Sequence, residues 1–162
     1  MTMQTILLDD RLTTFSKDVG DAGYDLQAVA FIDAYGQRLL LDETTGISSI
    51  TIHAGTSIKI CTGIKIWIKD TKIFGAIFAR SKLADKFKLT PSNCVAVIDS
   101  GYQGEYIVSL HNESDEAYAI RPMDKIAQLI FLPVISPVFS YVKEFPASIR
   151  GEKGILCEDV RK

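Results

Sequence analysis

From Ile50 to Trp67 apolar and polar side chains alternate, with interruptions at Gly55 and Gly63. That period of two predicts half-buried strands joined by glycine turns. Similar runs recur at residues 5–8, 38–41, 74–78, 94–98, 106–111, 117–120, 125–132 and 138–142. Gly, Asp, Asn, Ser or Pro mark most of the joins, and these residues supply the backbone conformations and local hydrogen bonds of turns. Residues 81–86 alone read as helix, one or two turns long, too short to form a layer of the fold. Many short strands in 162 residues predict a single all-β domain: a sandwich, a barrel or a jelly roll. Segment 33–49 is the most loop-like stretch and is expected to form a surface hairpin around the short run 39–41.

Composition narrows this picture. With 47% hydrophobic and 23% charged residues, the chain is too apolar for intrinsic disorder. A monomer of this size hides about 70% of its unfolded surface, and a mean hydropathy of +0.14 points to further burial at a subunit interface. A net charge of -2 argues against a broad electrostatic grip on nucleic acid. Cys61, Cys94 and Cys157 match no zinc spacing and no paired disulfide framework, which predicts reduced thiols. Acidic residues interrupt the N-terminal segment where a signal peptide needs an apolar core, and no apolar run reaches the roughly 20 residues of a membrane span. A soluble, cytoplasmic protein is expected. The sequon-like Asn112-Glu113-Ser114 is read as chance.

Five segments carry candidate chemistry. In Val95–Glu105 a buried-looking strand ends at Asp99 and passes through a Gly turn to Tyr102. A carboxylate at the lip of an apolar strand is expected to be partly desolvated and able to serve as a base for water. On spacing alone, a turn-capping aspartate is the simpler reading. Arg80-Ser81-Lys82 arrive where a strand gives way to the helical turn, and side-chain donors with free backbone N–H groups there can hold a phosphate. An ordinary capped turn explains them equally. Asp21–Leu26 is a small-residue turn leading into a strand, with Asp25 at its start, and Gln128 is a lone amide in the apolar run 125–131. Arg150-Gly151-Glu152-Lys153-Gly154 can wrap an anion with a guanidinium and backbone amides, or can be a plain tail.

In this order, the five segments resemble the five motifs of the trimeric dUTPases, the deoxyuridine triphosphate nucleotidohydrolases, over nearly the whole chain. The most specific match is Ile-Asp-Ser-x-Tyr-x-Gly at residues 98–104, with Asn93 six positions before the aspartate. The Arg-Gly-Glu-Lys-Gly of the tail is similar to versions in some phage enzymes. The resemblance implies a jelly-roll-like β domain over residues 1–147, an arm over 148–162, and a homotrimer with active sites shared between chains. It implies hydrolysis of dUTP to dUMP and pyrophosphate, with Asp99 activating the water that attacks the α-phosphorus. Tyr102 would lie under the deoxyribose, and Asn93 would read uracil together with main-chain groups around Val97, Ile98 and Ile107. Arg80, Ser81, Lys82, Gln128 and Arg150 would hold the phosphates. Mg2+ would be held mainly by those phosphates, with Asp25 acting through water only.

The chain departs from the family pattern at several positions. Lys82 stands where the family usually has Gly or Ser, Ala96 replaces a frequent Gly, Gly101 a common Asp, and Gln27 the usual Arg. The tail continues Ile155-Leu156-Cys157-Glu158-Asp159 where the family has a Phe and then a Gly-rich, hydroxyl-bearing stretch. Two like charges about 4 Å apart at an effective dielectric near 20 repel by about 4 kcal/mol, so Glu158 and Asp159 oppose closure over a triphosphate. That departure keeps open a catalytically weak nucleotide-binding or regulatory protein of the same fold. A dCTP deaminase relative is the third reading.

Overall fold

Antiparallel pairing organises the chain throughout the computed structural model, which describes residues 2–149 and Gly151. The first strands are β1 (Gln4–Leu7), β2 (Tyr24–Gln27), β3 (Ala30–Ile32), β4 (Arg38–Leu40), β5 (Ile50–Ile52), β6 (Ser57–Cys61) and β7 (Ile64–Trp67). After them come β8 (Ile73–Ala79), the helix α1 (Ser81–Phe87), β9 (Leu89–Pro91), β10 (Ala96–Ile98), β11 (Ile107–Asn112), β12 (Tyr118–Ile120) and β13 (Lys125–Pro133). They form a four-stranded sheet β10-β8-β13-β2, a five-stranded sheet β4-β3-β6-β11-β9, and the pairs β1-β7 and β12-β5.

The alternation between Ile50 and Trp67 resolves into β5, β6 and β7 with turns at the two glycines. Gly63 has φ +70°, and a Cβ there would meet Leu12 Cδ1 at 2.8 Å, so the turn needs glycine for both conformation and space. Leu26, Ala28, Val29 and Ala30 run fully buried from β2 into β3, and Ile60, Ile77, Leu110 and Leu129 close the core over them. Each large apolar side chain withdrawn from water in this way contributes about 1.5–3 kcal/mol. Tyr106, also fully buried, donates its hydroxyl to the Ile66 carbonyl at 3.0 Å. Burial pushes its phenol up to about 12, which keeps it a neutral donor.

Segment 33–49 contains a hairpin turn closed by Asp33, whose carboxylate accepts from the Tyr35 and Gln37 amides. Beyond β4, which forms one edge of the five-stranded sheet, Leu41 is fully buried. Arg11 ties the N-terminal turn to this region by donating to the Leu41 carbonyl at 2.6 Å and to Asp9 at 2.6 Å. Asn112 is buried and saturated: its amide donates to the carbonyls of Ile52 and Glu116, and its oxygen accepts from Ser114. A glycan could not be attached there.

One expected strand is absent. Residues 134–149 contain no strand, and Val138 and Tyr141 are 98% and 97% exposed. Residues 138–142 have strand-forming side chains, but no strand of the same chain pairs with them among the described residues. An isolated strand cannot satisfy its backbone.

Candidate functional site

Two groups of side chains stand out at opposite ends of the four-stranded sheet. The first forms where β2, β8 and β13 run side by side. Gln128 pairs with Asp25 across one ladder and with Phe78 across the other, so segments far apart in sequence converge. Asp25, Arg80, Ser81, Lys82 and Gln128 line a cavity of about 270 Å³ together with Asp21, Ala22 and Gly23. Arg80 Nε lies 2.8 Å from Asp25 Oδ1, and Lys125 Nζ lies 2.8 Å from Asp25 Oδ2. The carboxylate therefore fixes two cations, of which Arg80 lines the cavity. Gln128 Nε2 donates to the Ala79 carbonyl at 3.0 Å, which aims the amide along the cavity wall. Gly23 is small of necessity, because a Cβ there would meet Gln128 Oε1 at 2.9 Å. Arg80 caps α1 without a side-chain hydrogen bond to the first turn, so nearby backbone N–H groups add to the donors of Ser81 and Lys82. Arg80, Lys82 and the neutral donors of Ser81 and Gln128 line the cavity together with the carboxylates of Asp21 and Asp25, and Lys125 pairs with Asp25 close by. With the Asp25 charge offset by its two partners, the donor set suits a polyanion.

The second group surrounds the loop from β10 to β11. Val97 and Ile98 lie on β10, Asp99 follows it, and Ile107 opens β11. Val97, Tyr102 and Ile107 are 60%, 45% and 40% exposed, an apolar surface suited to the faces of a base and a sugar. Asn93 is exposed in the turn before β10, where Cys94 takes φ +62°. The Tyr102 hydroxyl donates to the Glu105 carbonyl at 3.1 Å. Asp99 is exposed in the single chain, which corrects the expectation of a partly desolvated carboxylate: among the described residues nothing covers the lip of β10.

The single chain does not bring the two groups together. Ile98 pairs with Gly75 near the start of β8, whereas Arg80 follows the end of that strand. At a strand rise of about 3.3 Å per residue the separation along β8 is about 16 Å. Asp25 lies on the far edge strand, three inter-strand spacings of about 4.8 Å from β10. Arg150 lies outside the described residues, as do the departures from Ile155 to Asp159.

Lys125 and Gly23 were missed by the reading of side-chain types. Lys125 is 100 positions from Asp25, and only the ladder between β2 and β13 brings the two together. Among the described residues, no group of three or more His, Cys, Asp or Glu could hold a metal ion. Both oxygens of Asp25 are already ion-paired, so this donor set fits a cation carried by phosphate oxygens and touched through water, not one ligated by protein.

A family model described as dUTPase matches residues 46–157. The deoxyuridine 5'-triphosphate nucleotidohydrolase of Idiomarina loihiensis is 40% identical over 148 residues, covering 91% of each chain. That of Blochmanniella pennsylvanica is 48% identical over 105 residues, 65% of this chain and 70% of its own. Among solved structures, the Staphylococcus bacteriophage 80alpha dUTPase G164S mutant with dUpNHpp superposes with a TM-score of 0.73 over 94% of this chain and 95% of that one, at 22% identity. The dUTPase from phage phi11 of S. aureus gives 0.69 at 20% identity, covering 91% of this chain and 100% of that one. At such identities the likeness is one of fold, the jelly-roll β sandwich.

Proposed function

The chain belongs to the dUTPase family and hydrolyses dUTP to dUMP and pyrophosphate, and we propose that it does so with Asp99 as the base at a site shared between copies of a homotrimer. Asp99 accepts a proton from a water molecule whose oxygen attacks the α-phosphorus, the bond to the bridging oxygen breaks, and pyrophosphate leaves. Tyr102 lies under the deoxyribose, Asn93 reads the uracil edge, and the main chain at Val97, Ile98 and Ile107 completes the base pocket. Arg80, Ser81, Lys82 and Gln128 hold the phosphates in the cavity beside Asp25, and Arg150 adds a further cation. Magnesium, which the family generally uses, would neutralise phosphate oxygens when bound, with Asp25 approaching through water.

The separation of about 16 Å along β8 carries the shared-site reading, because it exceeds the length of a triphosphate chain. One nucleotide can meet both groups only when two copies bring different ends of the sheet together. Exposed apolar residues in 134–149, Phe139 and Tyr141 among them, supply surface for such an assembly. The neighbouring copy would also exclude bulk water from Asp99.

The substrate is a small molecule; nucleic acid and membrane are not partners on this reading. No helix among the described residues is long and apolar enough to cross a membrane, and Cys61 and Cys94 are free thiols, both in keeping with the cytoplasm. Steady-state pyrophosphate release from dUTP tests the role of Asp99. An Asp99→Asn variant should fall about 10²- to 10⁴-fold, the usual contribution of a positioned base. Equal rates for variant and wild type would remove Asp99 from the mechanism.

A further inference from the structure

We propose that Arg38 and Glu105 are positioning residues that hold the Tyr102 ring in place, so that an ion pair joining the hairpin of segment 33–49 to the end of the Val95–Glu105 segment sets discrimination between deoxyribose and ribose triphosphates. The proposal rests on the reading of Tyr102 as the surface beneath the sugar. The Tyr102 ring is restrained at two points. It lies against Gly104, where a Cβ would collide with its hydroxyl oxygen, and that hydroxyl donates to the Glu105 carbonyl at 3.1 Å. The position of the ring therefore follows the position of Glu105.

Glu105 is in turn anchored outside its own loop. Its carboxylate is only 12% exposed; Oε1 accepts from the Gly63 amide at 2.8 Å, and Arg38 grips both oxygens, with Nε to Oε2 at 3.1 Å and Nη2 to Oε1 at 3.3 Å. Two parallel charge-assisted hydrogen bonds fix direction as well as distance. The Gly63 amide belongs to the turn between β6 and β7, and Arg38 opens β4. The loop is thus tied to two separate strands, and the hairpin of segment 33–49 gains a role at the substrate. Without Arg38 the carboxylate keeps a single anchor, the loop can pivot about Gly63, and the ring can yield to a 2′-hydroxyl.

The test is kcat/KM for dUTP and for UTP in wild type and in Arg38→Ala, Arg38→Lys, Tyr102→Phe and Tyr102→Ala variants, with melting temperatures alongside. Arg38→Ala should lower the dUTP-to-UTP ratio about tenfold, the scale of a sub-ångström misplacement. Tyr102→Phe, which keeps the ring and loses its tether, should lower the ratio in the same direction, and Arg38→Lys should restore part of the ratio lost in Arg38→Ala. If Arg38→Ala lowers the melting temperature and slows both nucleotides equally, the pair is structural only and the proposal fails, even where Tyr102→Ala abolishes discrimination. If Tyr102→Ala leaves the ratio unchanged, the reading of Tyr102 fails and takes the proposal with it.

Discussion

Replacing Gly23 by alanine tests how closely the cavity proposed for the phosphates is built. The added Cβ would lie 2.9 Å from Gln128 Oε1, 3.2 Å from Ile130 Cγ1 and 3.3 Å from Gln128 Cβ. The closest collision is with the end of a flexible side chain, so the amide moves first and gives up its bond to the Ala79 carbonyl. Overpacking at the low end of its range costs about 1 kcal/mol, and the lost hydrogen bond costs about 1 kcal/mol more. Alanine recovers roughly 0.4–1 kcal/mol by restricting the unfolded chain. The net loss is about 1 kcal/mol, a fall of about 2–4 °C in melting temperature for a domain of this size. Activity should suffer more, because the amide would leave the cavity proposed for the phosphates; a drop of about tenfold in kcat/KM for dUTP corresponds to about 1.4 kcal/mol of transition-state binding. A double-mutant cycle gives the decisive comparison. In a Gln128→Ala background the Gly23→Ala change should cost little further activity. An undiminished cost there would show that the effect does not pass through the amide, and an unchanged Gly23→Ala enzyme would refute the contact itself.

Three further outcomes follow from other parts of the molecule. Arg11 donates to Asp9 and holds its carboxyl below the ordinary value of 3.8, so this pair stabilises the fold fully above that value and loses its contribution as pH falls through the lowered folded value. Urea unfolding at pH 6 and pH 3 should show a larger loss for wild type than for Asp9→Asn, and equal losses would contradict the pairing. Asn112→Ala should destabilise by about 2 kcal/mol, because it strands the buried Ile52 carbonyl and removes the acceptor of the Ser114 donors, and chemical denaturation reads the change directly. Removing residues 155–162 should leave kcat/KM for dUTP within about tenfold of the full chain, since Ile155, Glu158 and Asp159 lack the stacking and donor groups of a closing segment. A far larger drop would mean that this tail completes the site by other contacts.

Strands with one wet face were legible. β6 and β7, on either side of Gly63, alternate over Ser57–Ile60 and Ile64–Trp67 because each shows one side toward solvent. β3 was not: Ala28, Val29, Ala30 and Phe31 are buried in succession, so no polar residue marks the period. β9 is three residues long and ends in Pro91, a composition that reads as a turn. Residues 138–142 failed in the opposite sense, since strand-forming side chains cannot make a strand without a partner. At the site, the residue types in each motif were visible, and the grouping of Asp25, Arg80 and Gln128 follows from the ladders joining β2, β13 and β8. The distance between that group and Asp99 was not visible, because register and strand order, not composition, decide which end of β8 each occupies.

The central claim is that Asp99 of one copy works with Arg80 of another. Asp99→Asn and Arg80→Ala variants, each inactive alone, can be unfolded together, refolded as an equal mixture and assayed for pyrophosphate release from dUTP. If each site takes the two residues from different copies, random assembly leaves both intact in about a quarter of sites, and about a quarter of wild-type activity returns. If both residues of a site come from one chain, every site carries a defect and the mixture stays as inactive as its parents.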